Sequence, residues 1–172
     1  LYGMAERSVV ELARALAAGE SPTAIRGLCF VAAEPPAGAL LLPAYAEAAA
    51  DRDQFTAMFR TFYAHCDPVT AETLAQQQDT RFLVHNPPQL PLSIAELDAV
   101  HDLEFTRDLH PTDRKRGPVR ALDTIRFALT THRGCYGECN FCAIAVHQGR
   151  TVQSRSPASI VREAGRIAAH SD

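Results

Sequence analysis

Apolar residues recur at helical spacing near the start of the chain, at Val9, Val10, Leu12, Ala13 and Leu16, and Gly19 stands where a helix C-terminal glycine belongs. Residues 1–4 are short and apolar, and residues 25–33 are rich in branched apolar side chains, so both predict strands. Strand, helix and strand in that order predict a doubly wound α/β piece with parallel strands. Glu34-Pro35-Pro36-Ala37-Gly38 marks a turn. Residues 45–78 then shift to Ala, Glu, Gln, Phe and Met, which predict helix, broken in two at Asp67-Pro68. Within that stretch Phe55, Met58, Phe59, Phe62 and Tyr63 form one apolar stripe, read as core packing.

Residues 81–85 predict a short strand ended by Asn86-Pro87-Pro88. Ser93-Ile94-Ala95-Glu96 is a capping box, with Leu92 and Leu97 placed for a hydrophobic staple. Residues 110–123 read as a linker carrying Pro111, Pro118 and the basic run Arg114-Lys115-Arg116, a solvated face. Residues 125–131 alternate at their start, end in two threonines and predict a strand. Ser156-Pro157 opens a helix over 157–169 whose buried stripe is Ile160, Val161, Ala164, Ile167 and Ala168.

Composition changes this picture little. Apolar content of 47% and charged content of 22% are those of an ordinary globular protein. No run of eighteen apolar residues predicts a transmembrane helix. The first residues lack both the pattern of a secretory signal and an initiator Met, so the sequence is expected to begin inside a longer chain. A net charge of −3 argues against general affinity for nucleic acid or anionic membrane. Five cysteines, three of them crowded together, argue for reduced thiols in the cytoplasm and against a disulfide framework.

The crowded three are Cys135, Cys139 and Cys142, spaced C-x3-C-x2-C in a loop between the predicted strand and helix. Thiolates at this density share a soft metal or cluster, and Gly134 and Gly137 let the backbone bend around it. Two ligand sets fit. One is a [4Fe–4S] cluster with one iron left open; the other is a Cys3His zinc site completed by His147 or His132, in a non-catalytic binding module. An electron-transfer protein with a fully ligated cluster needs a fourth cysteine, and Cys66 and Cys29 are far away in sequence. The open iron is the better reading, because no second cysteine pair supports zinc. Cys29, in an apolar strand, reads as a core thiol. Cys66, beside His65 and Asp67, has no third partner for nucleophilic chemistry and reads as structural.

Arg133-Gly134-Cys135-x3-Cys139-x-Phe141-Cys142 resembles the cluster motif of radical S-adenosylmethionine enzymes, including the aromatic before the last cysteine. The stretches His147-Gln148-Gly149-Arg150 and Gln153-Ser154-Arg155-Ser156 are similar to the YgiQ-like (UPF0313-type) branch. Upstream, Tyr2-Gly3-Met4-x-Glu6-Arg7, Ile25-Arg26-Gly27 and Asn86-Pro87-Pro88 resemble that branch's N-terminal region. The resemblance implies an α/β fold in two parts. Residues 1–121 would be the C-terminal part of a Rossmann-like domain with a helical linker. Residues 122–172 would hold the first βα unit of a partial (βα) barrel.

It also implies a chemistry. Cys135, Cys139 and Cys142 would hold three irons of a [4Fe–4S] cluster, and the fourth would bind S-adenosylmethionine. Reductive cleavage would then yield a 5′-deoxyadenosyl radical that abstracts hydrogen from a substrate the sequence does not name. Phe141 would pack by the adenine and Arg155 would meet the cofactor carboxylate. A reductant such as flavodoxin or ferredoxin would supply the electron.

Overall fold

The computed structural model describes residues 1–170. In chain order the elements begin with helix α1 (Glu6–Ala18), strands β1 (Cys29–Ala32) and β2 (Leu40–Leu42), and helices α2 (Tyr45–Ala50) and α3 (Arg52–Ala64). Strands β3 (Leu74–Gln78) and β4 (Arg81–His85) follow, then helices α4 (Ile94–His101), α5 (Pro111–Arg114) and α6 (Ala121–Ile125). The chain continues through β5 (His132–Arg133), α7 (Ile144–Gln148), β6 (Gln153–Ser154) and α8 (Pro157–Ala168). They form two compact units. The first joins Leu1–Pro91 to Gly134–Val152; the second joins Leu92–Arg133 to the segment from Gln153 on. No helix among the described residues is long and apolar enough to cross a membrane.

The first unit is built on a mixed four-stranded sheet of order β1-β4-β3-β2, in which only β2 and β3 run parallel. This corrects the doubly wound parallel arrangement to a mixed α/β one. The cause is the two-residue turn Asp79-Thr80, where Asp79 takes a left-handed φ of 52°. It folds β3 and β4 into an antiparallel hairpin, and β4 then pairs antiparallel with β1. The hairpin also overturns the helix expected through Gln78. Glutamines tolerate helix, but Leu74 and Ala75 are each 1% exposed in a strand paired on both sides. Burial and ladder pairing outweigh a weak local preference.

Residues 1–4 form no strand. Tyr2 instead enters a polar junction that draws together the three upstream patterns of the sequence. The Tyr2 N–H donates to the Gly27 carbonyl at 2.9 Å, and its hydroxyl donates to the Asn86 carbonyl. Gly27 N–H donates to Pro87 O at 2.7 Å, and the Asn86 amide donates to the Thr23 and Ile25 carbonyls at 2.8 Å each. Ser8, buried within α1, donates to Arg26 O at 2.6 Å, and Arg26 Nε donates to Pro88 O at 2.9 Å. Gly27 sits at φ 75°, where an added Cβ would lie 3.2 Å from both Ser8 Oγ and Tyr2 O. α1 ends, as its spacing predicts, at Gly19 with φ 69°.

The aromatic stripe of α3 is also not core. Asp51 caps this helix through the N–H groups of Asp53 and Gln54, but none of its residues is buried, and Phe55 and Phe59 are half exposed. Their rings and that of Tyr63 stack in series, with centroids 6.5 and 5.9 Å apart.

In the second unit the capping box forms as read. Glu96 N–H donates to Ser93 Oγ at 3.3 Å, and Ser93 N–H donates to Glu96 Oε2 at 2.8 Å. Ser156 and Pro157 open α8, and Ser156 N–H donates to Asp98 Oδ1 at 2.9 Å, tying α8 to α4. The strand expected over 125–131 does not form. Ile125 ends α6, Arg126 N–H donates to Leu122 O and Ala128 N–H to Ile125 O, so turns satisfy the backbone. A strand needs a ladder neighbour, and among the described residues only His132–Arg133 has one, in β6. The 110–123 linker contains two short helices, α5 and the start of α6.

The interior of this unit is ionic. Arg155 is 3% exposed; its Nε and Nη2 donate to Ser159 Oγ and its Nη1 to Thr130 O and the Glu163 carboxylate. Arg107 pairs with the other Glu163 oxygen. Burial opposes ionisation of Glu163, but the hydrogen bonds from Arg155 and Arg107 outweigh it and hold the carboxyl below the ordinary glutamate range. Its stabilisation is therefore complete above the unfolded pKa and is lost as pH falls through the folded one. Glu163→Gln should flatten that acid limb. It should also cost about 3–5 kcal/mol at neutral pH by leaving two arginines without their carboxylate. Urea unfolding across pH measures both effects, and an unchanged midpoint would contradict this account.

Candidate metal centre

The cysteine loop belongs to the first compact unit, and its neck is closed by backbone groups. Cys135 N–H donates to Gly149 O at 3.1 Å, and Gly134 N–H donates to Gln148 Oε1 at 3.0 Å. Gly134 holds φ 88° against the Thr151 carbonyl; a Cβ there would lie 2.1 Å from Thr151 O. Only glycine fits this approach. Between the two sides of the neck lie the three cysteines and the short helix α7, which the sequence pattern did not show because five residues are too few for periodicity.

Cys135 and Cys142 are half-buried, Cys139 is exposed, and all three are free thiols. Gly137 lies between the first two. Its N–H donates to Cys135 Sγ at 3.4 Å, and a Cβ on it would stand 3.3 Å from Cys135 Sγ and 3.7 Å from Cys139 Sγ. Cys142 N–H donates to Cys139 O at 2.9 Å, closing the turn between the second and third cysteines. Among the described residues no three His, Cys, Asp or Glu side chains converge on one point as metal ligands do. His147 is exposed on α7, and His132 lies in the second unit beside Thr131 Oγ1. The donor set nevertheless suits a soft metal or cluster: three unpaired thiols on one short loop, with an amide N–H directed at sulfur.

A cavity of about 500 Å³ borders the loop, within the range of ligand sites. Cys139, Phe141 and Cys142 line one side; Phe59, Phe62 and Tyr63 of α3 line the other. Phe141 is 92% exposed. The aromatic stripe read as core thus forms a cavity wall. Arg155 belongs to the second unit. Its side chain is 0% exposed and committed to Ser159, Glu163 and Thr130 in the second unit, leaving no open guanidinium face for a carboxylate ligand.

Tyr63, Glu138 and Arg150 also contact the loop, and sequence reasoning missed their role. Glu138, at φ 44°, pairs through its carboxylate with Arg150, and Tyr63 OH donates to the same oxygen at 3.2 Å. Glu138 and Arg150 both stand inside the quoted motifs, but Tyr63 lies 75 residues upstream of Glu138, beyond any local signal. The other two cysteines are packing groups. Cys66 is buried with Sγ donating to Tyr63 O at 3.0 Å, and burial pushes both its thiol and that of Cys29 up.

A family model described as Radical SAM N-terminal matches residues 1–128. A UPF0313 protein of Fusobacterium nucleatum is 53% identical over 167 residues, covering 97% of this chain and 29% of that protein. One from Geobacter sulfurreducens is 45% identical over 175 residues, covering 98% and 29%. One from Clostridium perfringens is 39% identical over 178 residues, covering 100% and 27%, so its match includes the cysteine loop. The chain spans less than a third of the length of these curated relatives. No solved structure matches it.

The neck geometry makes glycine at 134 a strict requirement. Gly134→Ala should destabilise the first unit by at least about 2 kcal/mol in urea unfolding. Gly165→Ala, in α8 with nothing within 4 Å of the added Cβ, should stabilise by about 0.5–1 kcal/mol. Equal effects at the two sites would refute the close approach at the neck.

Proposed function

We propose, on the premise that this chain belongs to the Radical SAM N-terminal family, that it carries the cluster loop of an S-adenosylmethionine-dependent radical enzyme of the UPF0313 type. In this reading residues 1–121 are an accessory α/β domain with its helical linker, and residues 122–172 open the (βα) barrel that bears the cluster. The observation that carries it is the free C-x3-C-x2-C thiol set on a loop closed at its neck and bordering a cavity.

When bound, a [4Fe–4S] cluster and S-adenosylmethionine supply the 5′-deoxyadenosyl radical that abstracts hydrogen from the substrate. The chain's own residues hold and orient these groups. Cys135, Cys139 and Cys142 would hold the cluster through three irons, and because the loop has no fourth cysteine one iron would be left for the cofactor. Gly137 N–H supports the charge on Cys135 sulfur. Phe141, exposed at the cavity, offers a ring face to the adenine. Arg155 orders residues 130–131 through Thr130 O and, with its backbone N–H, Thr131 O, so in this reading its role is to hold that segment. A cytoplasmic setting keeps the thiols reduced, and a one-electron donor such as flavodoxin or ferredoxin supplies the electron.

Anaerobic reconstitution of the full-length protein with iron and sulfide should give cluster absorbance, and reduction with S-adenosylmethionine should release 5′-deoxyadenosine. Replacing Cys135, Cys139 and Cys142 together by Ala should abolish both. Absorbance that survives the triple substitution, or a wild-type protein that forms no 5′-deoxyadenosine, would sink the reading.

A further inference from the structure

The geometry points to Tyr63, Arg150 and Glu138 as a latch by which helix α3 positions the cysteine loop. Tyr63 is its hub and uses every polar feature it has. Its hydroxyl donates to Glu138 Oε1 at 3.2 Å, and its ring lies under the Arg150 guanidinium, 4.9 Å from centroid to carbon. Its carbonyl accepts from Arg150 Nη2 at 3.5 Å and from Cys66 Sγ at 3.0 Å. Arg150 completes the triangle by pairing with the Glu138 carboxylate.

Placement gives the latch its meaning. Glu138 immediately precedes Cys139 and stands at φ 44°, a left-handed conformation that a non-glycine residue keeps only when its surroundings enforce it. Arg150 directly follows Gly149, whose carbonyl accepts the Cys135 N–H at the neck. One arginine therefore joins the neck and the Glu138 turn of the loop to a single residue of α3. Among the described residues, the backbone between Cys135 and Cys142 is shaped by the bonds at Gly137 and at Cys142. Side-chain anchoring must supply the rest. The charge pair and the stacked ring hold the turn beside Cys139, and Arg150 follows the residue whose carbonyl holds Cys135, so the latch sets how far the thiols are presented before a metal arrives.

The inference rests on the reading of the three cysteines as cluster ligands only where loaded protein is tested, so its experiment has two arms. In full-length protein without metal, alkylation of each cysteine by iodoacetamide is followed by mass spectrometry. Arg150→Met and Tyr63→Leu should each speed alkylation of Cys135, Cys139 and Cys142 about fivefold or more. Cys29 serves as the control for global loosening and should not change. Tyr63→Phe, which keeps the ring and loses only the hydroxyl bond to Glu138, should fall between wild type and Tyr63→Leu. Adding Glu138→Gln to Arg150→Met should have little further effect, because the partners act as one unit.

In reconstituted protein the same variants should shift the electron paramagnetic resonance spectrum of the reduced cluster, with Arg150→Lys partly restoring it. Wild-type rates at the three cysteines in Arg150→Met and Tyr63→Leu would overturn the latch. So would an equal rise at Cys29, or additive effects in the double variant. If Arg150→Met does not fold, Glu138→Gln alone carries the alkylation test, since its isosteric change keeps the shape of the loop. Failure of wild-type protein to take up a cluster removes the functional reading and leaves the alkylation result standing.

Discussion

Every buried polar group must find a partner, and this chain buries polar side chains about as freely as apolar ones. Ser8, Asn86, Gln89, Gln153, Arg155, Ser159 and Glu163 lie inside, beside a sparse apolar set led by Leu74, Val84 and Leu97. A buried group left unpaired costs about 1–3 kcal/mol, and more if charged. Each unit is therefore organised by the geometry that satisfies these groups. In the first, Asn86 and Ser8 bind carbonyls of residues 23–26 and lock three separated segments together. In the second, Glu163 sits between two arginines.

The cysteine loop follows the same rule with less material. It has no ladder of its own, and its apolar members, Tyr136 and Phe141, face outward. What shapes it is a neck of bonds from the Gly134 and Cys135 N–H groups, at a close approach that only Gly134 permits, and a charge pair backed by an aromatic ring. Held this way, Cys139 stays exposed and Cys135 and Cys142 only half-buried, all three as free thiols. A tightly packed apolar loop would bury sulfur and push its pKa up, as burial does at Cys66.

The UPF0313 relatives match this chain across nearly all its length while extending well beyond it, and the family model matches through residue 128. The short patterns that carried the resemblance have physical duties here. Tyr2-Gly3, Ile25-Arg26-Gly27 and Asn86-Pro87-Pro88 are one junction, and Gln148-Gly149-Arg150 is the far side of the loop's neck.

The sequence by itself determined the features with local causes. The glycine cap of α1, the Ser93–Glu96 capping box, the Ser156-Pro157 start of α8 and the strand 81–85 all depend on residues a few positions apart. The thiol set was legible for the same reason, since its spacing lies within eight residues. Only the tertiary structure decided what depends on a distant neighbour. Residues 74–78 became a strand because two other strands flank them, and residues 125–131 remained unpaired because nothing described does. The α3 stripe became a cavity wall through the return of the cysteine loop, and Arg155 was drawn inside by a carboxylate eight positions on and a carbonyl twenty-five positions back. Periodicity reports that a face is apolar or a residue charged. Which partner meets it is settled by packing, where burial and charge pairing exceed the few tenths of a kcal/mol by which local preferences differ.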